Sequence, residues 1–134
     1  MSIVIDTNIL LRYTVGDDPA QAAIAERIME SSSEIVIPTQ VFCEYVWTLR
    51  ARYKQPKEAI AEAIRAIVAT DRIVVNDDEV QAGLQMMEDG GDFADGVTAY
   101  AGSRMASGPA VFASFDKQAV KLLVRRGLSA LVPD

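Results

Sequence analysis

Short apolar runs alternate along the chain with longer stretches of helical periodicity. The runs are rich in Ile, Val and Ala, and continuous runs of this kind are typical of strands that are buried on both faces of a parallel sheet. They lie at residues 3–5, 35–37, 73–75, 110–113 and 130–132. Because helical stretches separate the runs, right-handed crossovers are expected, and the pattern predicts an α/β fold with a parallel sheet flanked by helices.

Local start signals precede most of the helical stretches. Asp18 with Pro19 offers an N-cap followed by a proline in the first turn, and Asp116 could cap the last helix, which Gly127 would end. Asn76 with Glu79 has the spacing of a capping box, as has Asp92 with Asp95. The predicted helices span residues 20–29, 39–53, 57–69, 80–88, 96–106 and 117–126. No linker or repeat divides the chain, so a single domain over residues 1–134 is expected.

Composition changes the picture mainly through what is missing. Histidine is absent and Cys43 is the one cysteine, which excludes a Ser-His-Asp triad, a Cys-His pair and histidine- or thiolate-rich zinc sites. The net charge of −6 argues against nucleic-acid binding by bulk positive charge. No apolar run reaches the roughly 20 residues of a membrane span, and the first residues lack a basic signal-peptide region. A cytoplasmic location without membrane contact is therefore expected.

Four acidic residues are placed to meet at one edge of the predicted sheet. Asp6 directly follows the first strand and Asp116 follows the fourth, and ligands bind beyond the carboxyl ends of parallel strands. Glu44 lies early in the helix that leaves the second strand. Asp95 lies in the first turn of a helix that leads back to the fourth strand, so it reaches this edge only if the two helices before that strand reverse the chain direction. The four acids form the candidate site.

Crowded carboxylates repel one another, so such a site is costly without a cation. Mg²⁺ prefers oxygen ligands and can be held by a few carboxylates and water, and paired ions can assist phosphodiester displacement. Each acid also has a structural explanation: Asp6, Asp92, Asp95 and Asp116 could cap helices, and Glu44 could be a solvated helix-edge residue. Asp92 is assigned mainly to capping.

These positions carry a resemblance to a known family. Residues 3–8 read Ile-Val-Ile-Asp-Thr-Asn, residues 92–101 read Asp-Phe-Ala-Asp-Gly-Val-Thr-Ala-Tyr-Ala, and residues 114–116 read Ser-Phe-Asp, with Glu44 between the first two motifs. The chain resembles the PIN-domain ribonucleases over nearly its whole length, and looks most like their VapC-type toxin branch. Gly96 departs from the pattern, since many relatives carry Ala there, and it is expected to loosen the helix start.

The resemblance implies a three-layer PIN-like domain with a central five-stranded parallel sheet, its first strand near the middle. It implies a Mg²⁺- or Mn²⁺-dependent endoribonuclease whose acids are Asp6, Glu44, Asp95 and Asp116. Thr7, Asn8 and Ser114 match polar neighbours that orient carboxylates or water, and Asp92 matches a less certain ligand position. The resemblance also implies a homodimer and a small antitoxin protein that blocks the acidic pocket.

Two further questions stay open at the level of sequence. Arg50, Arg52 and Lys54 follow the Glu44 helix, where they either contact RNA phosphates or form a solvated helix end favoured by the helix dipole. The alternative functions are an aspartyl-phosphate phosphatase-like enzyme and a catalytically silent PIN-like binding module. The first would need a second acid at position 8, where the chain has Asn8.

Overall fold

Five short parallel strands and seven helices form the protein in a computed structural model that describes all residues 1–134. In chain order they are β1 Ser2–Val4, α1 Thr7–Val15, α2 Pro19–Ser31, β2 Glu34–Val36, α3 Thr39–Ala51, α4 Lys57–Val68, β3 Ile73–Val74, α5 Asp77–Glu88, α6 Phe93–Met105, β4 Phe112–Ala113, α7 Lys117–Arg125 and β5 Ala130–Leu131. The chain divides into two units, Met1–Asn76 and Asp77–Asp134. None of the helices has the length and apolar character that crossing a membrane requires.

The first unit is built on a three-stranded sheet in the order β1-β2-β3. All its strand pairs are parallel, and the register places Ile3 beside Ile35 and Ile35 beside Ile73. Helix α1 packs against α2 and α3, and α4 packs against α3 and β3. The core of this unit includes the fully buried side chains of Leu10, Phe42 and Tyr45. This packing fixes α3, which carries Glu44, relative to the start of α1.

The second unit pairs β4 with β5 in parallel and packs α5 closely against α6. Met86 of α5, Ala99 of α6 and Leu122 of α7 belong to one buried cluster, against which Phe112 of β4 packs. This cluster therefore holds α6, which carries Asp95, and α7, which Asp116 caps, on a common core.

The predicted strands and helices are confirmed to within three residues at each end. The prediction of one helix between the first two strands was wrong, because the structure has both α1 and α2 there. Gly16 adopts a left-handed conformation with φ of 69° and ends α1, and Asp18 then caps α2. A mixed helix and strand fold with parallel sheets is confirmed. Strand pairing gives one sheet in each unit, so the central five-stranded sheet is not confirmed and stays a prediction, as does the single domain.

Candidate active site

Asp6 lies at the point where β1 gives way to α1. It is the N-cap of α1, and its Oδ1 accepts a hydrogen bond from the backbone N–H of Ile9 at 3.1 Å. The capping explanation for Asp6 is therefore correct. It does not remove the chemical role, because an ionised carboxylate can accept about four hydrogen bonds and one cap leaves most of that capacity free.

Glu44 shares a cleft with Asp6. The cleft has a volume of about 280 Å³ and is lined by Asp6, Thr7, Asn8, Leu11, Gln40, Val41, Glu44, Thr48 and Arg52. Thr7 donates a hydrogen bond from its hydroxyl to Oε2 of Glu44 at 2.9 Å. Glu44 is exposed, as a solvated helix-edge residue would be, but this bond gives its carboxylate a defined orientation. The predicted orienting role of Thr7 thus has a structural counterpart.

One face of α3 supplies most of the polar lining of this cleft. The polar side chains that line the cleft from α3 and its C-cap follow one another at four-residue spacing, as neighbours on a helix face do: Gln40, Glu44, Thr48 and Arg52. Gln40 and Thr48 were not predicted as site residues, although their four-residue spacing from Glu44 is the signal that identifies them. Of the three predicted RNA-contacting cations, Arg52 lines the cleft, whereas Arg50 and Lys54 do not.

Asp6 and Glu44 form the first acidic group, and a second acidic group, made of Asp92, Asp95 and Asp116, lies within the second unit. Asp95 is half-buried in the first turn of α6, and burial, followed by the negative charges of Asp92 and Asp116, raises the pKa of its carboxyl group. Every one of these influences acts in the same direction. The structure therefore brings Asp92 and Asp116 within electrostatic reach of Asp95.

Asp116 and Ser114 are held by local hydrogen bonds between β4 and α7. Asp116 caps α7 by accepting a hydrogen bond from the N–H of Ala119 at 3.0 Å, as predicted. Its own N–H donates to the hydroxyl of Ser114 at 3.0 Å. Ser114 therefore positions the Asp116 backbone in this structure, while a direct contact with a carboxylate or water stays a prediction.

Asp92 differs from the expectation that its main role is capping. It occupies the N-cap position of α6, but its side chain makes no capping hydrogen bond. An acid that raises the pKa of a neighbouring carboxyl group and does not cap its helix is better explained as part of the acidic group.

Close packing of α5 on α6 explains the glycine at position 96. A Cβ atom at this position would lie 2.5 Å from the carbonyl oxygen of Ala82 and 2.6 Å from Cβ of Met86, both on α5. The lack of a side chain at Gly96 permits α5 to approach α6 next to Asp95, while the expected loosening of the helix start stays a prediction.

Carboxylate oxygens of this kind suit a hard divalent cation, which often keeps several water ligands. The residues do not form a complete cage, since no group of three or more His, Cys, Asp or Glu side chains has metal-binding geometry in the structure. The group of Asp92, Asp95 and Asp116 fits a divalent cation by its ligand chemistry, and because the negative charges of Asp92 and Asp116 act on Asp95, a cation there would relieve repulsion.

Comparison with known proteins gives one family. The family model described as PIN domain matches residues 3–121, a range that contains all five acids of the two groups. None of the curated proteins matches the chain.

Proposed function

The chain belongs to the PIN domain family, and we propose that it is a divalent-metal-dependent endoribonuclease. PIN domains are generally nucleases that use divalent metal ions. The observation that best supports a catalytic role for this chain is the half-buried Asp95, whose pKa is raised by burial and by two neighbouring acids. Perturbed carboxyl groups of this kind are typical of functional sites, and structural acids are more often paired with cations.

We propose that Asp6 and Glu44 in the first unit and Asp95 and Asp116 in the second are the acids that would hold Mg²⁺ or Mn²⁺ and its water ligands, with Asp92 as an additional acid. The bound ion would lower the pKa of a water molecule and offset negative charge on the scissile phosphate. Thr7 would keep Glu44 in its ligating orientation through the 2.9 Å hydrogen bond. Asn8, exposed in the same cleft, could hydrogen-bond to a bound water molecule or to a phosphate oxygen.

The direct test is cleavage of total RNA by the purified protein with Mg²⁺, Mn²⁺ or EDTA, followed by mapping of new 5′ ends. Cleavage with either ion, abolished by EDTA and by Asp95→Asn, is the expected result. Divalent ions should also raise the melting temperature, because they bind the folded protein in preference to the unfolded chain. If the protein binds no divalent ion at millimolar concentration and cuts no RNA, the silent binding module would replace this proposal.

We propose that Asp6 and Glu44 serve the same reaction as Asp95 and Asp116, and enzyme kinetics of variants can test this. Residues that act as a unit have non-additive effects on kcat. Asp6→Asn and Asp95→Asn should each abolish most of the activity, and the double variant should lose little more than either one. Loss of activity in Asp95→Asn alone, with a fully active Asp6→Asn, would show that the first group does not take part.

Arg52 is the cation proposed to contact an RNA phosphate, because it lines the cleft that holds Asp6 and Glu44. Arg52→Gln should weaken RNA binding and reduce its salt dependence, since fewer counterions are released. Arg50→Gln is the matched control, as it removes the same charge from an exposed position of α3 outside the cleft lining. Equal effects of both substitutions would indicate general charge attraction instead of a contact in the cleft.

We also propose, from the resemblance to VapC-type toxins, that the protein acts in the cytoplasm as the toxin of a toxin–antitoxin pair. Its partners would be a small antitoxin and a second copy of the chain. Expression of the chain alone should slow growth, co-expression of the neighbouring gene should restore it, and size-exclusion chromatography should give the mass of a homodimer. A chain that is harmless when overexpressed would contradict the toxin role and leave the nuclease proposal intact.

A further inference from the structure

One aromatic side chain next to the second acidic group is almost fully exposed. The side chain of Phe115 is 82% exposed and lies directly before Asp116 in the chain. Phenylalanine normally contributes to stability by leaving water, and Phe115 contributes little in this way in the free protein. A contact made only when a ligand is present would explain its position.

The backbone on both sides of Phe115 is held in place. The N–H of Ser114 donates to the carbonyl oxygen of Leu131 at 3.1 Å, which continues the pairing of β4 with β5. On the other side, the N–H of Asp116 donates to the Ser114 hydroxyl at 3.0 Å, and the Asp116 carboxylate caps α7. The ring therefore projects from a turn that is anchored at both ends, and its attachment point is fixed relative to Asp116.

The surroundings of this ring favour one kind of contact. Asp116 is within electrostatic reach of Asp95, so a nucleic acid that approaches here meets negative charge. A phosphate gains nothing from Phe115, but a nucleobase can stack on an aromatic ring without any charge on the protein. Stacking of this kind tolerates every base, because each has a π face.

We propose that Phe115 is a stacking platform for an unpaired base of the RNA, next to the phosphate that is cleaved at the acidic site. This inference rests on the proposed nuclease function and adds a substrate requirement to it. A base that is already paired and stacked within a duplex has no free face for the ring, so the platform selects unpaired segments. It also supplies affinity that does not depend on phosphate charge.

Binding measured without cleavage tests the platform separately from the nuclease activity. A short single-stranded oligoadenylate is titrated into the full-length protein in EDTA, with affinity followed over a series of salt concentrations. Phe115→Ala should weaken binding about tenfold, the loss typical of one stacked base, with an unchanged salt slope. Phe115→Tyr should restore affinity, because it keeps the ring. Met105→Ala is the control, since Met105 is also largely exposed in the second unit, at 86%, and should leave binding unchanged.

A fluorescent variant reports the contact directly. The chain has a single tryptophan, Trp47, so Trp47→Phe with Phe115→Trp leaves the only indole at the proposed platform. Oligoadenylate should quench its emission, while the same strand made abasic should not. A Phe115→Ala protein with wild-type affinity, or equal quenching by the abasic strand, would overturn the proposal. Quenching in a protein that never cuts RNA would support the platform and contradict the nuclease function, and cleavage without quenching would do the reverse.

Discussion

Replacement of Gly96 by Ala tests whether close packing of α5 on α6 supports the acidic group. An alanine in a helix interior normally stabilises it by ~1 kcal/mol relative to glycine. Here the added Cβ would lie 2.5 Å from the carbonyl oxygen of Ala82, where ordinary contact begins at 3.4 Å. A second close approach, 2.6 Å, is to Cβ of Met86. Neither atom can move away by rotation of a side chain, so α5 itself must shift.

The two opposing effects differ enough to give a clear sign. Overpacking of a well-packed core costs about 1–3 kcal/mol, and the upper part of that range applies because the obstruction is backbone. After the helix-propensity gain is subtracted, Gly96→Ala should lower the free energy of unfolding by ~1–2 kcal/mol. For a chain of this size that corresponds to a fall in melting temperature of roughly 4–8 °C. Because Asp95 is the preceding residue, kcat should fall as well.

Gly102→Ala is the matched control for this measurement. It lies in the same helix, and a Cβ at that position would meet nothing within 4 Å. The propensity gain should therefore appear without a clash, and denaturant unfolding should show a protein up to ~1 kcal/mol more stable than the wild type. If Gly96→Ala is as stable as Gly102→Ala in the same titration, the close packing of α5 on α6 does not require glycine at position 96.

Three further predictions concern Asp95, the Arg126–Asp89 ion pair and the Thr7–Glu44 hydrogen bond. Because the pKa of the Asp95 carboxyl group is raised in the folded protein, the wild type in EDTA should lose stability as pH rises from the ordinary aspartate pKa through the raised pKa of Asp95. Asp95→Asn should show no such loss, and urea unfolding at neutral pH should find this variant more stable than the wild type. Arg126 donates hydrogen bonds to Asp89 and lowers the pKa of the Asp89 carboxyl group, so Arg126→Gln should slightly destabilise the protein at neutral pH. If the variant is still less stable than the wild type in acid, below the lowered pKa, the loss does not come from the Asp89 charge. Thr7→Val, which frees Glu44 from its hydrogen bond, should reduce kcat about tenfold with an unchanged melting temperature, and full activity would show that Glu44 needs no orientation.

Local interactions explain which parts of the fold could be predicted from sequence. Strand runs of Ile and Val, the Asp18-Pro19 helix start and the Asp116 cap depend on residues within one or two turns of each other. The missed boundary between α1 and α2 depends on Gly16, whose left-handed conformation ends a helix that the apolar pattern alone would continue. The candidate acids could be proposed from the sequence because they follow strand ends and helix starts, which are also local features.

Only the tertiary structure decided what those acids touch. The hydrogen bond from Thr7 joins residues 37 apart in sequence, and the contact that requires Gly96 joins α6 to α5. The cleft includes Arg52 and not Arg50 because the geometry of α3 turns one of these similar side chains toward it. Sequence patterns report the preference of each segment for its own conformation. Burial and the separation of charges depend on how segments pack, and these quantities determine the raised pKa of Asp95.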